Sequence, residues 1–362
     1  MRRTITSFVM CFLLSISFTA TAQLNTPQRS QMASIMQRVG TTDITITYSR
    51  PSVNNREVWG KLVPFGMNNF GFGTSKAAPW RAGANENTLV TFTHNVNVEG
   101  KPVEAGTYGL HINVKDENNA TIILSKDTEA WGSYFYDPEN DALRADVKLI
   151  DIDHTELLTF SFDEVKSTST TAALKWEKKA IPFTIEVDVL NIVTEDLRAK
   201  LTGQNAFISQ HWEQAANYLL NNGGDLDEAL SWINKGLEGQ FFSQKTFNGL
   251  VIKANILNKK GDKDGFVSTM DEAVAMANAN QINRAGYAMI NAENFEKAIE
   301  YLNINTKNDP ENANWQNSLG AAYKAKGDNK IAIKHFKKSL KLNPTARVKA
   351  NTEKNLKDLG AL

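Results

Sequence analysis

The sequence predicts a two-domain protein, an all-β sandwich or jelly roll followed by an all-α repeat solenoid. Three observations carry this. A length of 362 residues exceeds one ordinary domain, at a soft prior of roughly 150 residues each. From about Thr42 to Val189 apolar and polar residues alternate, the period of half-buried strands. From about Asn191 the period becomes helical, the composition turns to Ala, Leu, Asn and Lys, and self-similarity appears near a spacing of 34 residues.

The leader is read separately. Arg2 and Arg3 precede a short apolar run, Phe8 to Phe18, and Ala20-Thr21-Ala22 forms an A-x-A pattern before Gln23. Residues 1–22 are therefore expected to be a signal peptide cleaved after Ala22, giving a periplasmic or secreted protein. The run is too short to span a bilayer, which takes about 20 apolar residues, and no later segment reaches that length. Cys11 is the sole cysteine and sits inside the apolar run, so no disulfide, thiolate metal site or cysteine nucleophile is expected in the mature chain. Lys+Arg and Asp+Glu both total 40, and 41% of residues are hydrophobic. That balance excludes disorder and wholesale nucleic-acid binding.

Within residues 24–190 the strand pattern runs through Ile44, Ile46 and Tyr48, then Val90 to Val98. A turn over Glu99–Gly106 leads to Tyr108–Val114, followed by Thr121–Ser125, Val147–Ile150, Leu157–Phe162, Leu174–Trp176 and Phe183–Val189. Eight or nine short strands are expected, with Ser167–Thr171 as a polar connection. Residues 191–209 read as a linker helix, 210–346 as about four helical repeats and 347–362 as a terminal capping helix. The last repeat is the clearest. Leu319, Gly320 and Tyr323 lie on its first helix, Gly327-Asp328 form the turn, Ala332 and Phe336 lie on the second helix, and Pro344 follows. The same roles recur 34 residues earlier at Gly286, Ala298, Leu302 and Pro310. Small residues at these places let helices approach, and large ones fill the space beside them. This region resembles the tetratricopeptide-repeat family.

Upstream, Tyr48-Ser49-Arg50-Pro51, Arg56, Val58–Gly66 with Trp59, Trp80–Glu86, Ala105-Gly106-Thr107-Tyr108 and Trp131-Gly132 resemble DUF2911, a family of exported Bacteroidota proteins. The resemblance implies a secreted β domain of uncharacterised function. Met67–Pro79, with Phe70 and Phe72, is longer than the family's usual passage between its motifs and can reshape what they present.

Candidate ligand-binding residues in the β domain are Arg50, Arg56, Trp59, Trp80, Arg81, Asn85 and Glu86. An indole face stacks on a sugar or aromatic ring, Arg81 offers a fork to a carboxylate, and Asn85 and Glu86 exchange hydrogen bonds with hydroxyls. A glycan is one ligand these residues suit. The same residues also fit a bracing role, with Trp80 plugging the sandwich end and Arg81 and Glu86 paired with each other or with Arg50 and Arg56. One glutamate is not a pair of opposed carboxylates, and no catalytic residue is assigned. The five histidines lack metal-ligand spacing, so neither a metal nor another cofactor is expected. His94 and His111 differ in strand parity and are expected on opposite sides of the sheet.

In tetratricopeptide repeats the ligand groove is lined by positions 2, 5, 9, 12 and 13 of each first helix. The resemblance therefore implies Asn248, Asn280 and Asn314 at position 2, Asn283 and Asn317 at position 5, and Tyr218, Asn255 and Tyr287 at position 9. Asn221, Asn222, Asn258 and Asn291 fall at positions 12 or 13. Carboxamides carry both donor and acceptor, so such a ladder suits an extended peptide backbone. Surface preference for Asn produces the same pattern. Residues 313–362 hold 11 Lys+Arg against 3 Asp+Glu, a solvated lysine face or a contact for acidic partners. The expectation is an exported, non-catalytic binding or scaffold protein that holds a protein or peptide in the repeat groove, with neither nucleic acid nor a membrane span. The alternative is an envelope hydrolase acting on a glycan or peptide through Trp80, Arg81 and Glu86.

Overall fold

The computed structural model describes residues 26–362. The expected signal peptide, its cleavage pattern and Cys11 lie outside the described residues. The chain divides into two compact units between Val187 and Asp188.

The first unit is built from antiparallel sheets. One has six strands in the order β1 (Met32–Val39), β2 (Thr42–Ser49), β5 (Leu89–Phe92), β8 (Gly106–Val114), β9 (Asn119–Ser125) and β10 (Asp141–Lys148). The other has four, in the order β11 (Ile150–Val165), β12 (Ser169–Glu186), β6 (Val96–Val98) and β7 (Lys101–Val103). A small ribbon, β3 (Asn68–Asn69) with β4 (Ala77–Ala78), lies in the connection after β2. Ile44, Ile46, Val90, Phe92, Leu110 and Ile112 are buried on the first sheet, and Phe160, Leu174, Trp176, Phe183 and Ile185 on the second. Tyr48 meets Phe160 edge to face at 4.8 Å, one of the aromatic contacts that lock the sheets together.

Several strand expectations are corrected. Strand β1 precedes the first one read from the sequence. Its pairing with β2 runs from Met32 opposite Ser49 to Val39 opposite Thr42, but Met32 and Met36 point outward, so the apolar residues do not mark a buried face. The expected turn over Glu99–Gly106 contains β7, because Glu99 and Gly100 alone, both at positive φ, make the reversal. Leu174–Trp176 and Phe183–Glu186 belong to one strand, which stops short of the expected end because Val189 opens the first helix. Glu177, at φ +54°, coincides with a break in the β11–β12 register. Below it even-numbered residues 172, 174 and 176 are buried, and above it 181, 183 and 185. A bulge there keeps the apolar side inward while shifting the parity by one.

Both faces of β8 are covered. Leu110 and Ile112 point to one side, while His111 is 3% exposed on the other, beneath a layer of loops that contributes Ala78, Ser133 and Tyr136. His94 instead lies after β5 and bonds Thr42 Oγ1 through Nδ1. Burial, aided by the charge of Arg81, lowers the His111 pKa to about 4.

The second unit is helical. After α1 (Val189–Lys200) come four antiparallel pairs: α2 (Ser209–Asn222) with α3 (Leu226–Leu237), α4 (Phe247–Lys260) with α5 (Lys263–Ala275), α6 (Ala279–Asn291) with α7 (Phe295–Asn308), and α8 (Ala313–Lys326) with α9 (Asn329–Lys341). Helix α10 (Ala346–Asp358) follows. The expected linker helix over 191–209 is shorter than read: α1 stops at Lys200 and a separate short turn spans Gln204–Phe207. Turn chemistry sets the pairs. Gly223, Gly261 and Gly327 end first helices in the left-handed conformation, and Asp225 and Asp262 cap the second helices that follow two of them. Asn278 opens α6 with a full capping box. Among the described residues no helix is long and apolar enough to cross a membrane.

Within the pairs, close approach depends on missing side chains. A Cβ on Gly286 would sit 2.4 Å from Leu302 Cγ, and one on Gly320 would sit 2.8 Å from the Phe336 ring. Gly286→Ala is expected to lower stability by about 1 kcal/mol, because overpacking outweighs the roughly 1 kcal/mol gained in helix propensity. Urea unfolding followed by far-ultraviolet circular dichroism checks this, and an equal or raised midpoint contradicts it. A second prediction concerns acid. The unfolded chain protonates His111 near pH 6.5 and the folded chain only near 4, so its contribution is complete above 6.5 and is lost as pH falls toward 4. The loss amounts to roughly 3 kcal/mol at about 1.4 kcal/mol per pH unit. Urea midpoints by tryptophan fluorescence should fall across that window, and His111→Gln should flatten the fall. An unchanged slope in the variant would remove His111 as its cause.

Candidate functional site

The loop from Arg50 to Asn87 is pinned to the first unit by indoles. The Trp80 N–H donates to Ile112 O at 3.0 Å and Ile112 N–H donates back to Trp80 O at 2.8 Å, so Trp80 is an extra rung beside β8. Its ring stacks on Trp176 of β12 with centroids 5.9 Å apart. Trp59 meets both edge to face, at 6.1 and 6.4 Å. Trp80 thus braces the sandwich, as one of the two sequence readings has it.

The arginine pairing in that reading is not what the structure holds. Arg81 donates through Nη1 to Asn85 O at 2.6 Å, and its guanidinium lies 5.3 and 5.8 Å from the parallel rings of Trp131 and Tyr134. Gly132 makes room for it: φ is +75°, and a Cβ there would sit 2.6 Å from Arg81 Nη1. Arg56 donates to Val53 O and Ser52 O, and Arg50 to Leu158 O and Thr159 Oγ1. Asn85, held at φ +59°, donates to Ser30 O. Glu86 is exposed, and among the described residues it makes no ion pair with any of these arginines. Arg50 is a strap between β2 and β11, removed from ligand duty.

Trp80, Arg81, Asn85 and Arg56 nevertheless share one open cavity of about 780 Å³. Sequence reasoning missed Arg29, Phe70, Ser133, Tyr134 and Trp176, which also line it. Two signals were present. The Trp131-Gly132 motif immediately precedes Ser133 and Tyr134, and the Met67–Pro79 insertion supplies Phe70, whose ring meets Tyr134 edge to face at 5.9 Å. The insertion is tied down where Thr74 N–H donates to Tyr134 O at 2.9 Å. No aspartate or glutamate lines this cavity, so Glu86 supplies no acid to it. Ser133 Oγ lies 3.1 Å from His111 Nδ1. With its basicity lowered by burial and no carboxylate bonded to its ring among the described residues, His111 is a poor general base for that hydroxyl.

In the helical unit the asparagines part company. Asn317 is 4% exposed and lies 2.9 Å from Thr352 Oγ1 of α10, so it is a joint under the last helix rather than a groove residue. Asn248 accepts from Arg284, and Asn221 and Asn222 donate to Asn217 and Tyr218 of their own helix. Asn258 accepts from Lys263, and the Tyr218 hydroxyl is spent on Val189 O at 3.5 Å. Asn280 is exposed and Asn314 half-buried. What survives of the ladder is local. Asn255 on α4 and Tyr287 and Asn291 on α6, with Val251, Arg284 and Ala288, surround a pocket of about 290 Å³. Asn283, one turn before Tyr287, is half-buried with an unpartnered, buried Oδ1.

Comparison with known proteins agrees with this division. Residues 30–185 match the family described as Protein of unknown function (DUF2911), and residues 316–345 match a tetratricopeptide repeat. No curated protein matches the chain. Solved structures similar to it include a crystal structure of MamA, at 18% identity over 41% of this chain and 85% of that one, with a TM-score of 0.32. Another is YrrB, a TPR protein with an unusual peptide-binding site, at 16% identity over 46% of this chain and 84% of that one, with a TM-score of 0.32. Likenesses of that size transfer no function. The chain carries a DUF2911 domain at residues 30–185, followed by helical hairpins of which the last, at 316–345, is a tetratricopeptide repeat.

Proposed function

We propose that this is an exported scaffold protein whose helical unit holds an extended peptide segment of a partner. The observation that carries the reading is the pocket between α4 and α6, where an apolar floor of Val251, Ala285 and Ala288 is ringed by Asn255, Arg284, Tyr287 and Asn291. A volume near 290 Å³ accommodates a single apolar side chain. The carboxamides beside it offer donor and acceptor groups to the peptide backbone on either side. Export rests on the basic and apolar leader and on Ala20-Thr21-Ala22.

Each hydrogen bond exchanged for water contributes about 0.5–1.5 kcal/mol, so three lost together weaken binding by about tenfold or more. The full chain should select peptides from a random displayed library. Asn255→Ala, Tyr287→Ala and Asn291→Ala combined should reduce affinity for the selected peptide by that factor while leaving helical circular dichroism unchanged. Unchanged affinity in the folded variant removes this pocket from the function. For export, Edman sequencing of the protein isolated from its native host should begin at Gln23; an N-terminus before Leu14 contradicts it.

A further inference from the structure

The cavity of the first unit has a chemical bias that the peptide reading does not use. Three arginines, Arg29, Arg56 and Arg81, line it and no carboxylate does. Three guanidiniums elsewhere are neutralised by carboxylates: Arg38 is paired with Asp43, Arg144 with Asp141, and Arg198 with Glu195 and Glu228. The cavity arginines have no such partner among the described residues. Arg56 and Arg81 bond only backbone carbonyls, which hold the side chains in place without cancelling their charge. Arg81 is fixed twice more, by the rings of Trp131 and Tyr134 and by the close floor at Gly132. A fixed guanidinium with most of its donors uncommitted is pre-organised for an oxyanion.

A second observation lies in the wall. Trp176 lines the cavity at 2% exposure, and its indole N–H is buried without an acceptor. Ser30, Ser52, Asn54 and Ser133 also line the cavity. A volume near 780 Å³ is several times what one inorganic phosphate fills and falls within the range of small-molecule sites. We infer that the arginine cavity of the DUF2911 domain binds a small oxyanion carrying at least two acidic groups, whether carboxylates or phosphates. The charges of Arg29, Arg56 and Arg81 supply affinity, and the neutral donors orient the ligand. The proposal is independent of the peptide groove, which belongs to the other unit.

Isothermal titration of the full chain with citrate and with pyrophosphate, at low and moderate salt, tests it. At least one should bind with micromolar affinity that weakens as salt rises, and inorganic phosphate should bind at least about tenfold more weakly. Citrate binding alone assigns carboxylates, and pyrophosphate binding alone assigns phosphates. Arg29→Gln and Arg56→Gln replace exposed side chains and leave the aromatic packing intact; each should weaken binding by about tenfold, as expected for loss of a charge-assisted bond. Arg81→Gln should abolish it. Absence of binding by both anions overturns the inference, as does binding that all three substitutions leave unchanged. If Arg81→Gln unfolds the unit, the two exposed variants decide the matter alone.

Discussion

The first unit depends on a cluster of three indoles. Trp59 and Trp80 come from a long irregular loop and Trp176 from the second sheet, while the backbone of Trp80 is bonded to β8 of the first sheet. A loop of this length would otherwise be costly to order. A fully buried indole such as Trp176 removes some 150–250 Å² from water, worth about 4–6 kcal/mol at 25 cal/mol per Å², and the half-buried Trp59 and Trp80 contribute a smaller share. Two of the indole N–H groups are buried without acceptors, at a penalty of about 1–3 kcal/mol each. Burial wins, so the loop stays closed against both sheets. The arginines and amides that follow Trp80 inherit their positions from it.

The class of each unit was legible because the two periods are physically distinct. Alternation of Ile44, Ile46 and Tyr48 has no helical equivalent, and Gly286 and Gly320, Leu302 and Phe336 repeat at one spacing because the same helix contact is built twice. What escaped the sequence was whatever depends on a third dimension. One left-handed residue, Glu177, joins what read as two strands. The outward methionines of β1 mask an edge strand. Coverage of the second face of β8 places His111 indoors, although strand parity alone correctly set it apart from Leu110 and Ile112.

The candidate sites follow the same rule. Trp80, Arg81 and Asn85 are neighbours in sequence and meet in the cavity, while Arg29, Ser133 and Trp176 arrive from distant segments that no local pattern connects to them. Arg50 and Glu86 belong to the same family motifs as those residues, yet neither lines the cavity. In the helical unit, position in the repeat located the first-helix faces but not their occupancy. Asn317 shares a repeat position with Asn283, but α10 reaches Asn317 and gives its carboxamide an intramolecular use.

That covering by α10 bears on assembly. Leu356 joins Ala332 and Phe336 in a small apolar cluster at this end of the helical stack, and Lys324 is tied to Asp358. The outward residues of α10 include Arg347, Lys349, Asn351, Lys354 and Lys357, a surface too polar and too positively charged to accept another hairpin of the same kind. Stacked helical arrays grow when the last hairpin leaves an apolar face uncovered. Here α10 covers that face, so another hairpin of the same kind does not find an apolar surface to continue the superhelix at this end.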